Sequence, residues 1–309
     1  MAIIGSLFDT LASIGIAGAA TQGIIWGIMA IGVYITYKIL DIADLTVDGS
    51  FTTGAAVLVV CVTQLNIPVL PALFLSFVVG CLAGLATGIF HTKFGIPAIL
   101  AGILTQFSLY SINLRIMQKA NLPLNVRKYS VLLSSFNVNA AFVTSLIFAA
   151  IVIAILYLFF GTELGMSLRS TGCNPHMSRA IGINTERNKV LGLMISNGIV
   201  AVSGGLIAQY QGFADINMGR GAIVIGLAAV IIGEVLFSKI YKNFAMRLAS
   251  AVVGGILYYI IITLVLKMGL RADDLKLLSA LVVAVFLGVP YWKTKLAQIR
   301  PSKEEKPNA

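Results

Sequence analysis

The chain has 309 residues, of which 58% are hydrophobic and 11% charged, and its mean hydropathy is +0.95; soluble domains carry about a quarter charged residues, so a soluble globule is excluded. Its 22 Lys and Arg against 12 Asp and Glu leave a net charge of +10, but these basic residues are scattered among apolar runs, which argues against a nucleic-acid face and for a role in membrane topology. Of the three cysteines, Cys61 and Cys81 fall in apolar runs and Cys173 in a polar stretch, a pattern that gives neither a disulfide framework nor a metal-binding spacing.

The first basic residue is Lys38, so the leading apolar run lacks the basic flank of a secretory signal and is expected to stay in the mature chain. A bilayer core about 30 Å thick takes roughly 20 apolar residues per helix. Apolar runs of this kind cover 14–38, 69–90, 97–116, 139–160, 190–208, 222–237, 248–266 and 276–292. A further run at 54–66 is short for a span at about 1.5 Å per residue. It is either completed by the preceding Asp48-Gly49-Ser50 or is half of a broken helix. The prediction is an all-α, polytopic integral membrane protein with eight or nine transmembrane helices, one domain over 1–292 and a basic polar tail over 293–309. Short cytoplasmic loops retain Lys and Arg. With the tail inside and nine alternating spans, 14 of the 22 basic residues fall inside and 8 outside, which is the pattern of a multi-pass cell-membrane protein with its C-terminus in the cytoplasm.

Small residues recur every four positions at Ala19, Gly23 and Gly27 and at Gly80, Gly84 and Gly88, forming ridges at which helices pack closely. Asp41, Asp44 and Asp48 cluster after the first span, and the segment through Gly49 and Ser50 is open to two readings. The carboxylates lie at membrane depth beside a helix break and line a translocation path, with Thr46 and Ser50 serving freed backbone groups. Alternatively, this is a wetted turn in which Asp48 caps the next helix.

The largest polar stretch, 161–188, is predicted as a cytoplasmic loop. Within it Asn174-Pro175 through Ile181 and Gly182 has the signals of a complete short helix. Asn caps the first amides, Pro fits the first turn and Gly closes the end. Arg169, Arg179 and Arg187 surround it, and a helix so short needs support from lipid headgroups, its own bundle or a partner protein. Catalysis finds no residues: the histidines are His91 and His176, and there is no H-E-x-x-H, G-x-S-x-G or G-x-x-x-x-G-K-[ST] motif. No metal or cofactor is expected on this chain. Glu234, close to Lys239 at the end of an apolar run, reads as an ion-paired or snorkelling residue at the inner interface.

Two stretches carry a resemblance. Gln22–Val57 and Leu168–Leu206 resemble the permease subunits of ATP-binding cassette importers related to the branched-chain amino acid permeases, and Leu45-Thr-Val-Asp-Gly-Ser-Phe51 is similar to the tryptophan/tyrosine-type branch. In the second stretch Arg169, Gly172, Asn174, Pro175, Ala180, Gly182 and Ile183 match the family pattern in order and spacing. The resemblance implies a homodimer of permease copies, two cytoplasmic ATPase subunits holding ATP and magnesium, and an external substrate-binding protein. It implies that the helix from Asn174 to Gly182, with Arg179, couples to the ATPase, and that the solute is a small, aromatic or otherwise hydrophobic amino acid. Gly233-Glu234 and Ser238-Lys239 stand where the wider family has paired glycines and a glycine-rich turn, so wider-family substrates are not carried over. The rival reading is an ion-coupled secondary transporter of a small solute, with Asp44 or Asp48 carrying the coupling proton or sodium.

Overall fold

The computed structural model describes residues 15–237, 243–267 and the helical residues 277, 280, 281, 283–285 and 288. Helix α1 (Ile16–Tyr34) continues through a π-helical turn (Ile35–Ile39). It is followed by α2 (Thr46–Thr63), α3 (Val69–Thr92), α4 (Ala98–Met117) and α5 (Val138–Phe160). Two short helices, α6 (Glu163–Cys173) and α7 (Pro175–Ala180), precede the long α8 (Thr185–Gln211). Then come α9 (Ala222–Phe237) and α10 (Phe244–Lys267).

Seven of these, α1 with its π turn, α2, α3, α4, α5, α8 and α10, are long and apolar enough to cross a membrane, and α9 is apolar but shorter. The chain is thus an all-α, polytopic membrane protein. The short run at 54–66 is completed at its front, because Asp48, Gly49 and Ser50 lie in the first turns of α2. The expected span at 276–292 falls only partly on described residues, and the tail 293–309 falls outside them. Two elements were not foreseen. Helix α6 occupies much of the stretch read as loop, and a two-stranded antiparallel sheet joins β1 (Asn121–Pro123) to β2 (Phe213–Asp215), with Leu122 opposite Ala214.

In lipid, helices gain little from apolar burial against one another, so close backbone approach and interhelical hydrogen bonds carry the packing. Helix α8 is the axis of the bundle. Along α3, Gly80, Gly84 and Gly88 meet Asn197–Ala201, Leu193 and Val190 in turn, which fixes an antiparallel pair; a Cβ on Gly80 would come within 2.5 Å of the Ala201 methyl. Gly54 of α2 meets the Ala201 backbone and Gly204 of α8 meets that of Phe51, again antiparallel. Ser196 and Ser203 of α8 donate to the Gly32 and Ile25 carbonyls of α1, both at 2.7 Å. On its other side α1 packs against α10, where Cβ atoms on Gly23 and Gly27 would lie 2.5 Å from Ile256 Cα and 2.7 Å from Val252 Cα. The bundle has two distinct ends: α6 packs beneath the end of α1 through Gly172 against Ile39 and Leu40, and the β1–β2 sheet closes the opposite end.

Candidate functional site

The segment between α1 and α2 turns back into the protein. Asp44 is 2% exposed, and both its oxygens accept: Oδ1 from the Thr46 N–H at 2.9 Å and Oδ2 from Asn197 Nδ2 at 2.7 Å. The Asn197 Oδ1 accepts from the Ser50 hydroxyl at 2.7 Å, and its Nδ2 also donates to the Leu193 carbonyl. A parallel chain of hydroxyls runs from Thr46 to Thr87 at 2.7 Å and from Thr87 to Thr105 at 2.8 Å. Asp44 makes no ion pair among the described residues; the pair found is Lys38 Nζ to Glu234 Oε2, at 2.7 Å and half exposed. Buried polar groups survive only when paired, and these two networks pin the start of α2 to α3, α4 and α8.

Asp48 does something neither sequence reading anticipated. It sits inside the first turn of α2, yet its carboxylate caps the start of α9, accepting from the Gly221 N–H and the Ile223 N–H at 2.9 Å each. The Thr52 hydroxyl accepts from the Gly219 N–H at 3.2 Å and donates to the Asp48 carbonyl. Gly49 abuts Gln106 and Leu109 near the middle of α4, so this junction lies halfway along the bundle. The stretch from β2 to α9 therefore descends from the sheet end to mid-depth before turning helical. Irregular backbone at that depth needs protein partners for its amides, and a negative group suits a helix N-terminus.

Three cavities surround this descending segment. One of about 450 Å3 is lined by Asp48, Gly49, Thr52, Gln106, Phe107, Tyr110, Asn113, Ile216 and Arg220. A second, about 490 Å3, is mainly aromatic and apolar, with Trp26, Tyr258 and Tyr259 together with Met218 and Arg220. A third, about 260 Å3, lies between Trp26, Asp215 and Gln211. Trp26 stacks on Phe51 at 4.7 Å, closing the apolar side.

At the opposite end, Asn174 ends α6 and caps α7, its Oδ1 accepting from the Met177 N–H at 3.0 Å with Pro175 following. Gly182 has a left-handed φ of +86°. Ser170 and Ser178 share a hydrogen bond at 2.8 Å, Arg179 Nε donates to Thr185 at 2.9 Å, and Arg169 stacks on Phe244 at 4.3 Å. Asn188 of α8 donates to Ser167 at 2.6 Å and Thr171 at 2.9 Å of α6. Leu164, Met166, Met177 and Ile181 nevertheless stay exposed. The result is a cross-braced pair of helices that leaves these four apolar side chains exposed on an otherwise polar stretch.

The family model described as branched-chain amino acid transport system / permease component matches residues 15–296. The chain belongs to that family. The permease is 45% identical over 274 residues, 88% of its own length and 90% of the relative's, to the "Tyrosine transport system permease protein" of Clostridioides difficile (strain R20291). It is 36% identical over 271 residues, 87% of its length and 95% of the relative's, to an uncharacterized protein of Rickettsia prowazekii (strain Madrid E). The solved structure titled "PsaBC from Streptococcus pneumoniae in complex with Fab" shares the fold, with a TM-score of 0.53 over 93% of this chain and 94% of that one at 14% identity.

In the permease, the residues expected along a path separate into two groups. Asp48 and Gly49 line the first cavity, while Asp44, Thr46 and Ser50 are buried at 2% exposure or less between helices. Sequence reasoning missed Asn197, Asn113, Gln106 and Arg220. Asn197 carried a readable signal, a carboxamide in the middle of an apolar run; Arg220 carried a weaker one, a charge directly before a span.

Proposed function

We propose that the chain is the membrane-spanning permease subunit of an ATP-binding cassette importer, working as a homodimer that moves an aromatic or other hydrophobic amino acid inward. The observation that carries this reading is the α6–α7 pair. A capped, cross-braced helix pair with exposed apolar side chains at one end of a bundle is what a docked motor subunit needs, and the sequence has no phosphate-binding loop of its own. The name of the 45% identical relative supports the solute class. In this reading the α6–α7 end faces the cytoplasm and two ATPase subunits, the sheet end receives solute from an external binding protein, and no catalytic residue, metal or cofactor is used on this chain.

The test is purification of the tagged chain from its native membrane, followed by uptake in vesicles. A copurifying ATPase subunit and nucleotide-dependent amino acid uptake are expected. The rival, an ion-coupled transporter, draws on the buried Asp44 without a basic partner among the described residues. Uptake that follows a proton or sodium gradient and ignores nucleotide overturns the importer in its favour.

A further inference from the structure

The cavity of about 450 Å3 beside the start of α9 is of the size that holds small molecules, and two of its groups lack the partners that their chemistry calls for. Asn113 is 1% exposed, yet its Oδ1 has no hydrogen-bond partner among the described residues. A buried acceptor left unpaired is destabilising, and a bound donor relieves it. Arg220 makes no ion pair among the described residues and lies 5.9 Å from the centre of the Tyr110 ring. Asp48 brings the opposite charge to the same wall. Each of its oxygens accepts one N–H, and a carboxylate has lone-pair capacity beyond that.

The geometry points to a recognition subsite for a zwitterionic amino acid with a planar apolar side chain. Arg220 takes the carboxylate, Asn113 Oδ1 accepts from the ammonium with Asp48 supplying the nearby negative charge, Gln106 completes the polar wall, and Phe107 and Tyr110 flank the side chain. A simple anion would face Asp48 and leave Asn113 unpaired, and a simple cation would face Arg220. A zwitterion answers all three groups. This inference rests on the importer reading and names the place where its solute pauses at mid-depth.

The experiment is equilibrium binding of radiolabelled tyrosine to the full chain in lipid nanodiscs without a binding protein, with tyramine and 4-hydroxyphenylpropionate as competitors. Saturable binding is expected. Either competitor lacks one charged group and should displace tyrosine far more weakly than unlabelled tyrosine does. Asn113→Leu and Arg220→Gln should each weaken binding about tenfold or more, the scale of one hydrogen bond to a charged group, while Arg220→Lys retains part of it. If Asn113→Leu does not reach the membrane, Asn113→Ala, which removes the acceptor without adding bulk, takes its place and should weaken binding likewise. Absence of saturable binding, or affinities unchanged in these variants, overturns the subsite. Nucleotide-dependent uptake by the complete transporter in sealed vesicles decides the importer reading separately, so either can fail alone.

Discussion

Asp48 and Asp44 lie four residues apart and are held by different donor sets. Asp48 meets backbone amides at the start of α9, where the partial positive charge of a helix N-terminus adds to its two hydrogen bonds. Asp48→Asn keeps the shape but loses the charge and one acceptor oxygen. The expected cost is about 1 kcal/mol, the scale of a lost cap, read as a lower unfolding midpoint, with reduced uptake and intact assembly. Wild-type uptake in this variant would mean that the charge at mid-depth plays no part in the path. Asp44 has one backbone donor, the Thr46 N–H, and one side-chain donor, Asn197, whose Oδ1 also accepts from Ser50. Asn197→Ala strips a charge-assisted bond from a buried carboxylate, about 1.5–3 kcal/mol, and frees the Ser50 hydroxyl as well. Thr105→Val removes only the last hydroxyl of the neighbouring chain, and Thr87 keeps the Ala83 carbonyl as an alternative acceptor; about 0.5–1.5 kcal/mol is expected. Thermal unfolding of the two purified variants should therefore rank Asn197→Ala well below Thr105→Val. The reverse order would show that the Asp44 carboxyl does not depend on Asn197.

At the scale of elements, glycine acts through space in one place and through backbone conformation in another, and the two make different predictions. Gly84 stands where any Cβ would overlap the Leu193 backbone, so Gly84→Ala must push α3 away from α8. Gly182 has open space around its absent Cβ but a φ of +86°. Gly182→Val then costs about 1–2 kcal/mol of local backbone strain and should leave the membrane core intact. Folded yield and unfolding midpoint should fall for Gly84→Ala and hold for Gly182→Val, whereas ATPase copurification should weaken only for Gly182→Val. If Gly182→Val copurifies normally and couples uptake to ATP as wild type does, α7 is a bystander, and the stretch from Ser238 to Arg247 is the next place to look. The same contrast explains what was legible in the sequence. Spans declare themselves by length and apolarity, and α7 by Asn174, Pro175 and Gly182, because those signals are local. Helix α6 hides behind two glycines and a polar composition, although Thr162 at its cap, Glu163 in the first turn and apolar Leu164 and Leu168 four residues apart were there to be read. The strands are three residues each and joined across some ninety residues, too short for alternation to show. The capping of α9 by Asp48 is a contact between distant segments, which no local pattern encodes.

For the whole molecule, α8 links what happens at one end to what happens at the other. Its 27 residues extend about 40 Å at 1.5 Å per residue, and three carboxamides along it each hold a different layer. Asn188 holds α6 near the end proposed to dock the ATPase. Asn197 holds the Asp44 turn and Ser50 in the middle. Gln209 accepts from the Leu132 N–H of the long segment that carries β1 at the sheet end. A helix packed against α1, α2 and α3 through backbone contacts bends little, so a displacement of α6 is carried to mid-depth rather than absorbed locally. Asn188 is the first joint of that linkage. Asn188→Ala removes both hydrogen bonds to α6 while Gly165 and Gly172 still seat the helix against Phe159–Phe160 and Ile39–Leu40, so α6 and α7 should remain folded and able to dock. The expected phenotype is accordingly neither lost assembly nor lost solute binding but slippage, in which ATP is hydrolysed at a near-normal rate and less solute moves per ATP. The measurement is the ratio of amino acid transported to ATP hydrolysed in proteoliposomes containing the complete transporter. An unchanged ratio in Asn188→Ala would mean that the stroke bypasses α8 and reaches the Asp48 junction through α1, whose end carries the Lys38–Glu234 pair to α9.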